Sequence, residues 1–189
     1  MSTIIYCHGF GSTGSNPKSS ALRAAFPNDT VVSPDLPIDP SATLQILTKI
    51  VHTATSFPIV FVGTSLGGFW ANYCAHKFDA PCVLVNPSMT PSATMSLRIG
   101  KDICNYVTGE PIVVTSDHVA QFSKLQDEAE YLSNGALIHL FLAMDDDVVD
   151  YRKTVASLPF VKSRFVTTDG GHRYEEKWST VIDLVKTLT

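Results

Sequence analysis

The stretch that decides the fold is Pro58-Ile59-Val60-Phe61-Val62-Gly63-Thr64-Ser65-Leu66-Gly67-Gly68-Phe69-Trp70. It opens with a short apolar, β-branched run, passes through a Gly-x-Ser-x-Gly turn, and continues with apolar residues at Phe69, Trp70, Tyr73, Cys74 and Phe78. The first pattern predicts a buried strand over 58–63 and the second a helix over 66–78. Between them Ser65 would sit on a strained strand-to-helix turn, where only small neighbours let strand and helix approach closely and where the serine oxygen is exposed. The helix starting at Leu66 would aim its unpaired amides and positive dipole end at charge developing beside Ser65. A plainer reading competes on this motif alone: a tight turn over 63–68 in which Ser65 merely caps the helix.

Outward from this unit, β-rich runs alternate with helix-period segments. Strands are expected at 3–8, 30–33, 58–63, 81–85, 136–143 and 163–167, and helices at 17–26, 41–55, 66–78, 151–158 and 174–188. Asn16-Pro17 marks one start clearly, joining a capping side chain to a proline at the first helical position. Six strands in this order predict a three-layer α/β fold, a mostly parallel sheet with helices on both faces, formed by residues 1–189 as one domain. One connection breaks the rhythm. Roughly 50 residues, 87–135, separate the fourth strand from the fifth where 2 to 6 are typical, so this segment reads as a small cap over the carboxyl edge of the sheet, with weak helical patterns at 92–100 and 119–133.

A serine is a weak nucleophile at neutral pH and needs a histidine base and an acid that orients it. The run Thr167-Thr168-Asp169-Gly170-Gly171-His172 leaves the last strand through a Gly-Gly turn and sets His172 on a loop at the same sheet edge. His52 and His76 fall in helices, His139 in a strand and His118 in the cap, all weaker positions for a base. The acid is expected after the fifth strand, in Met144-Asp145-Asp146-Asp147-Val148-Val149-Asp150. Asp146 is the choice, because one polar residue and then an apolar pair follow it and would anchor the loop, with Asp145 and Asp147 as the alternatives. For an oxyanion, the Leu66 amide is one backbone donor and the Phe10 amide, in His8-Gly9-Phe10-Gly11, the other. His8, ending a buried strand, is expected to brace that loop by hydrogen bonding rather than to act as a base.

The bulk numbers exclude several classes. A net charge of −4 with scattered basic residues lacks the attraction to phosphate backbones that nucleic-acid binders use. With no apolar stretch near the roughly 20 residues that span a bilayer, and no basic leader segment at the amino terminus, neither a membrane partner nor secretion is expected, and the cytoplasm is the default location. Cys7, Cys74, Cys82 and Cys104 show no CxxC spacing and are expected to be reduced, mostly core residues.

Taken together, HGFGS (8–12), GTSLGG (63–68), Asn86-Pro87, DDDVVDYR (145–152) and GGH (170–172) resemble the α/β-hydrolase superfamily and, more closely, its small bacterial YqiA-like esterase family, over nearly the whole chain. The resemblance implies a carboxylic ester hydrolase using Ser65, Asp146 and His172 through an acyl-enzyme, on a small acyl ester or thioester. No metal or cofactor is implied. Members of that family commonly have glycine where Asp145 stands and asparagine where Gly171 stands. Substrate-contacting residues are not legible: Phe10, Phe69, Met89 and Met95 could line a pocket or simply pack.

Four readings compete. Gly9-Phe10-Gly11-Ser12-Thr13-Gly14 spells GxGxxG, with Asp35 as a conceivable ribose-binding acid of a dinucleotide-dependent oxidoreductase. That reading needs the third glycine inside the opening helical turn, whereas the helix is expected to begin at Asn16-Pro17. A phosphate-binding loop of the Walker type lacks its lysine, and the aspartyl-phosphatase spelling at Asp145–Val149 comes too late in the chain. A non-catalytic binding protein on the same fold is the fourth, since fold does not fix function.

Overall fold

In the computed structural model, which describes residues 1–132 and 134–189, the strands β1 (Thr3–Cys7), β2 (Thr30–Val32), β3 (Ile59–Thr64), β4 (Cys82–Val85), β5 (Ile138–Ala143) and β6 (Ser163–Thr167) form one sheet in the order β2-β1-β3-β4-β5-β6. Every pairing between neighbours is parallel. All six strands therefore end at one edge, and every loop that leaves a strand starts there.

Alternation along the strands divides the core in two. Ile5, Cys7, Phe61, Leu84, Leu140 and Leu142 point to one face, Ile4, Tyr6, Val60, Val62, Val83 and Val85 to the other. Helices α1 (Pro17–Ala25) and α7 (Trp178–Lys186) cover the second face with Leu22, Trp178, Val181 and Val185. Helices α2 (Pro40–Thr53), α3 (Leu66–Lys77) and α5 (Ser116–Leu132) lie on the first. Helix α3 is buried all round from Leu66 to Ala75, as a helix with apolar residues on every side must be. The sheet takes one side of it, and Phe122 of α5 takes another, with ring centroids 6.1 Å from Phe69 and 5.7 Å from Trp70.

Observed elements match the expected ones within about two residues except at α7 and between β4 and β5, where the helices run over Pro91–Ser96 and Ser116–Leu132 against patterns expected over 92–100 and 119–133. Helix α7 was expected from residue 174 and begins at Trp178, because Gly170, Gly171 and Tyr174 all take left-handed backbone conformations (φ of 136°, 56° and 56°) that a right-handed helix cannot contain. Asn16 caps α1 as expected, its side chain accepting the Lys18 and Ser19 amides.

Between β4 and β5 the chain forms the short helix α4 (Pro91–Ser96), an irregular strap over residues 97–115, and α5. Of the helical pattern expected over 119–133, Ser133 lies outside the described residues. The strap returns to the loop after β1: the Tyr106 amide donates to the Gly11 carbonyl at 3.0 Å and the Asn105 side chain to the Ser12 carbonyl at 3.0 Å. Among the described residues no helix is long and apolar enough to cross a membrane.

Candidate active site

Ser65 stands between β3 and α3 with φ 53° and ψ −123°, outside the region that a residue with a side chain adopts without strain. Its hydroxyl makes no capping hydrogen bond to α3, which removes the plain helix-cap reading of the motif. Bulk is excluded on both sides of it. A Cβ on Gly63 would land on the carbonyl oxygen of Gly67, and a Cβ on Gly67 on that of Cys7, so the two glycines are what allow α3 to lie directly against β3 and β1. The turn is also tied to its neighbours: the Ser65 amide donates to the Val85 carbonyl at 3.1 Å, and the Gly68 and Ser88 amides both donate to the Ser65 carbonyl at 2.9 Å.

Beside this turn runs the loop after β1. An added Cβ on Gly9 would stand 3.3 Å from the Ser65 Cβ and 3.8 Å from its Oγ, which puts the Gly9-Phe10 backbone against the serine. His8 holds the loop in place. Its Nε2 accepts the Leu36 amide at 2.9 Å, so Nδ1 carries the proton and donates to the Gly9 carbonyl at 2.8 Å. Burial lowers the His8 pKa, in keeping with a neutral ring whose nitrogens are both engaged. The Phe10 carbonyl accepts the Tyr106 hydroxyl at 2.6 Å, while the Phe10 and Leu66 amides have no acceptor among the described residues.

At the ends of β5 and β6, the Asp146 carboxylate meets the His172 ring, with Nδ1 at 2.9 Å and 3.0 Å from its two oxygens. The Asp146 side chain is only 1% exposed, and its Oδ1 also accepts the Val148 and Val149 amides, each at 2.8 Å. The apolar pair that suggested Asp146 in the sequence thus holds it through backbone rather than side chains. Asp145 does something different: its Oδ1 accepts the Gly171 amide at 2.9 Å and so pins the turn just before His172. Asp147 is exposed and makes no hydrogen bond among the described residues.

Asn86, which sequence reading left without a role, connects these parts. Buried at 1% exposure with φ 43°, it receives the Ala143 amide on its Oδ1 at 2.9 Å and donates its Nδ2 to the carbonyls of Gly171 and His172 at 2.9 and 3.2 Å. One side chain thereby joins the end of β5 to the loop that carries His172, from a backbone position adjacent to the residue holding Ser65. Its position before Pro87 at a strand end was the available signal.

The remaining histidines stand elsewhere. His52 packs edge-to-face on Phe78, His139 bonds Ser163 Oγ at 2.7 Å, His118 approaches Asp39 at 3.8 Å, and His76 receives the Asn134 amide at 3.3 Å. Of the thiols, Cys7, Cys74 and Cys82 are buried and pushed up by burial, Cys74 to about 12, which leaves them unsuited to act as thiolates; Cys104 is exposed. In the loop after β1, Asp35 accepts the Gly14 amide at 2.7 Å, so the carboxylate that a dinucleotide ribose would require serves the loop itself, and α1 begins only at Pro17.

Two hollows flank the site. A cavity of about 100 Å³ lies between the loop after β1 and α3, lined by Gly9, Phe10, Leu36, Ile38, Trp70 and Ile112 among others. A wider, more open groove of about 530 Å³ lies on the far side of Asp146, against α4 and α6 (Tyr151–Ser157), and takes in Met89. The smaller one borders Ser65, since Gly9, which stands against that serine, and Phe10 and Leu66 line it. Of the other apolar candidates, Phe69 and Met95 are core residues.

The model of an uncharacterised protein family, UPF0227, matches residues 3–187. A UPF0227 protein of Pectobacterium carotovorum is 32% identical over 104 residues, covering 52% of this chain and 57% of that protein. One from Vibrio vulnificus is 27% identical over 166 residues, covering 82% and 81%. The first alignment thus spans little more than half of the relative's length, the second about four-fifths. Among solved structures, a monoacylglycerol lipase from Paleococcus ferrophilus superposes with a TM-score of 0.74 at 15% identity, covering 99% of this chain and 95% of that one. The esterase Est1E of Butyrivibrio proteoclasticus, with ferulic acid bound, gives 0.71 at 14% identity, covering 99% and 87%. At such identities the likeness is one of fold, and the fold is that of the α/β-hydrolases.

Proposed function

The chain belongs to the UPF0227 family, and from that premise and the geometry of its sheet edge we propose that it is a serine hydrolase cleaving a small acyl ester or thioester, with Ser65 as nucleophile, His172 as general base and Asp146 as the orienting acid. The observation that carries the reading is the placement of His172 Nδ1 within 3.0 Å of both oxygens of a buried carboxylate, at the edge where Ser65 is held strained and half-buried.

The chemistry follows from those contacts. With Asp146 accepting the Nδ1 proton, the neutral imidazole has its lone pair on Nε2, the tautomer a general base requires. His172 takes the Ser65 hydroxyl proton as Oγ forms a bond to the acyl carbon, and the carbonyl π electrons move onto oxygen. Phe10 and Leu66 have amides free to donate to that oxyanion, at the start of a helix whose dipole favours negative charge. Collapse breaks the bond to the leaving alcohol or thiol, which receives the proton from His172. Water then repeats the cycle on the acyl-serine and releases the acid.

The cavity of about 100 Å³, walled by Leu36, Ile38, Trp70 and Ile112, suits a short acyl or alkoxy chain. We also propose that the segment between β4 and β5 acts as a cap, since its strap is bonded to the Phe10 loop through Tyr106. That the solved neighbours include a lipase and an esterase is in keeping with this chemistry. Ser65→Ala is expected to abolish hydrolysis of p-nitrophenyl butyrate while the melting temperature stays within a few degrees of wild type; unchanged turnover would overturn the assignment.

A further inference from the structure

Resting on the hydrolase reading, we infer that the substrate carries an anionic group, received at the rim of the Ser65 site by Arg98 with Arg173 as a second cation. Arg98 comes from the strap just after α4, and its guanidinium carbon stands 4.6 Å from the centroid of the Phe10 ring, on the loop that borders Ser65. Stacking of this kind orients an arginine without neutralising it. No carboxylate lies within 4.0 Å of its guanidinium among the described residues, and its Nε is buried with no acceptor there. A buried donor without an acceptor is a standing cost that a bound anion would remove.

A second cation stands near the Tyr106 hydroxyl. Arg173 directly follows His172, is largely exposed, and has only a loose contact with Glu175 at 3.7 Å. Both guanidiniums stand close enough to the Tyr106 hydroxyl to favour its ionised form, against the burial that raises its pKa. That hydroxyl is bonded to the Phe10 carbonyl at 2.6 Å, so Arg98 and Tyr106 touch, and Arg173 lies near, one loop, the one whose amide faces the reacting carbonyl in the proposed mechanism. Two separate segments thus bring positive charge to the mouth of the site in a chain whose net charge is −4. Nothing in the fold requires it. An arginine set over an aromatic ring that lines a cavity has the form of a receptor for carboxylate or phosphate. The anion would lie a few bonds from the scissile acyl carbon, with the apolar part of the substrate in the cavity behind Phe10.

The test compares esters that differ in charge. Wild type and Arg98→Gln are assayed by titration of released acid on methyl butyrate, monomethyl succinate and the butyryl ester of glycerol 3-phosphate, with the melting temperature recorded for both proteins. In wild type, kcat/KM for at least one anionic ester is expected to exceed that for methyl butyrate by about tenfold at low salt, and the preference to shrink as ionic strength rises. Which ester is favoured tells carboxylate from phosphate. In Arg98→Gln the anionic-to-neutral ratio is expected to fall at least about fivefold, chiefly through KM, with little change in melting temperature. Anionic esters turned over no faster than methyl butyrate by wild type, or a ratio that survives Arg98→Gln, would overturn the inference. Fluorophosphonate labelling of Ser65 separates the two failures: labelling without charge preference leaves the hydrolase reading standing, whereas absence of labelling removes its basis.

Discussion

The turn that carries Ser65 and the loops that carry Asp146 and His172 end up at one sheet edge by different physical means. At the serine the constraint is steric: Gly63 and Gly67 stand where any side chain would strike backbone, and α3 is pressed onto the sheet by a core on every side. At the base and acid the constraint is a web of hydrogen bonds, in which Asp145, Asp146 and Asn86 hold Gly171, His172 and the end of β5. Close packing against backbone tolerates no change of volume, whereas a hydrogen bond can be removed and leave the fold standing. Damage to the first region should therefore show as lost stability, and damage to the second as lost rate.

The largest effect expected is in the second region. Asp146→Asn keeps the shape of the side chain but favours the wrong tautomer of His172, and should lower kcat by about four orders of magnitude with little change in melting temperature; steady-state rates on p-nitrophenyl butyrate measure it. Gly67→Ala is the counterpart at the serine. Its methyl group would meet the Cys7 carbonyl, so a cost of about 3 kcal/mol or more is expected, a fall of roughly 6–12 °C in melting temperature by calorimetry.

Asn86→Ala lies between these cases, because it belongs to the hydrogen-bond web yet is buried. Loss of its Oδ1 leaves the Ala143 amide without a partner, at about 2 kcal/mol, and frees the His172 loop, so stability by denaturant titration and kcat should both fall. If only stability fell, Asn86 would be a core tie and not a positioning residue. Asp145→Ala removes one exposed bond to Gly171 and should cost less than about 1 kcal/mol with a several-fold loss in kcat. Asp147→Ala should match wild type in both. The smallest effect is one of pH. Burial holds the His8, His76 and His139 pKa values below the ordinary 6.5, so below that pH the unfolded chain binds more protons than the native one. Stability is fully present above pH 6.5 and declines on acidification toward the lowered native values, a slow drop in melting temperature between pH 7 and 5.

What could be read from residues alone divides along the same line. Sterics leave their mark in composition: glycines at fixed offsets from Ser65, an apolar run on either side, and near-continuous apolar stretches in strands that are buried on both faces. That the sheet is parallel followed from the alternation of strands and helices. Hydrogen-bond partners leave no such mark, because any of three adjacent aspartates could have reached His172 and the choice lies in which backbone amides the loop turns inward. Asn86 was visible only as a strand-ending Asn-Pro pair, and the contact of Tyr106 and Arg98 with the Phe10 loop depends on a strap with neither helical nor strand periodicity. The start of α7 was misjudged for a related reason, since the left-handed conformation of Tyr174 answers to its burial beside Phe141 and Gly170 rather than to local preference.

Both regions meet in the reactivity of one oxygen atom. Incubating the protein with a fluorophosphonate and mapping the adduct by peptide mass spectrometry reads that reactivity without any assumption about the natural substrate. The account predicts a single adduct on Ser65 that is lost in His172→Ala; an adduct on another residue, or none, would contradict it.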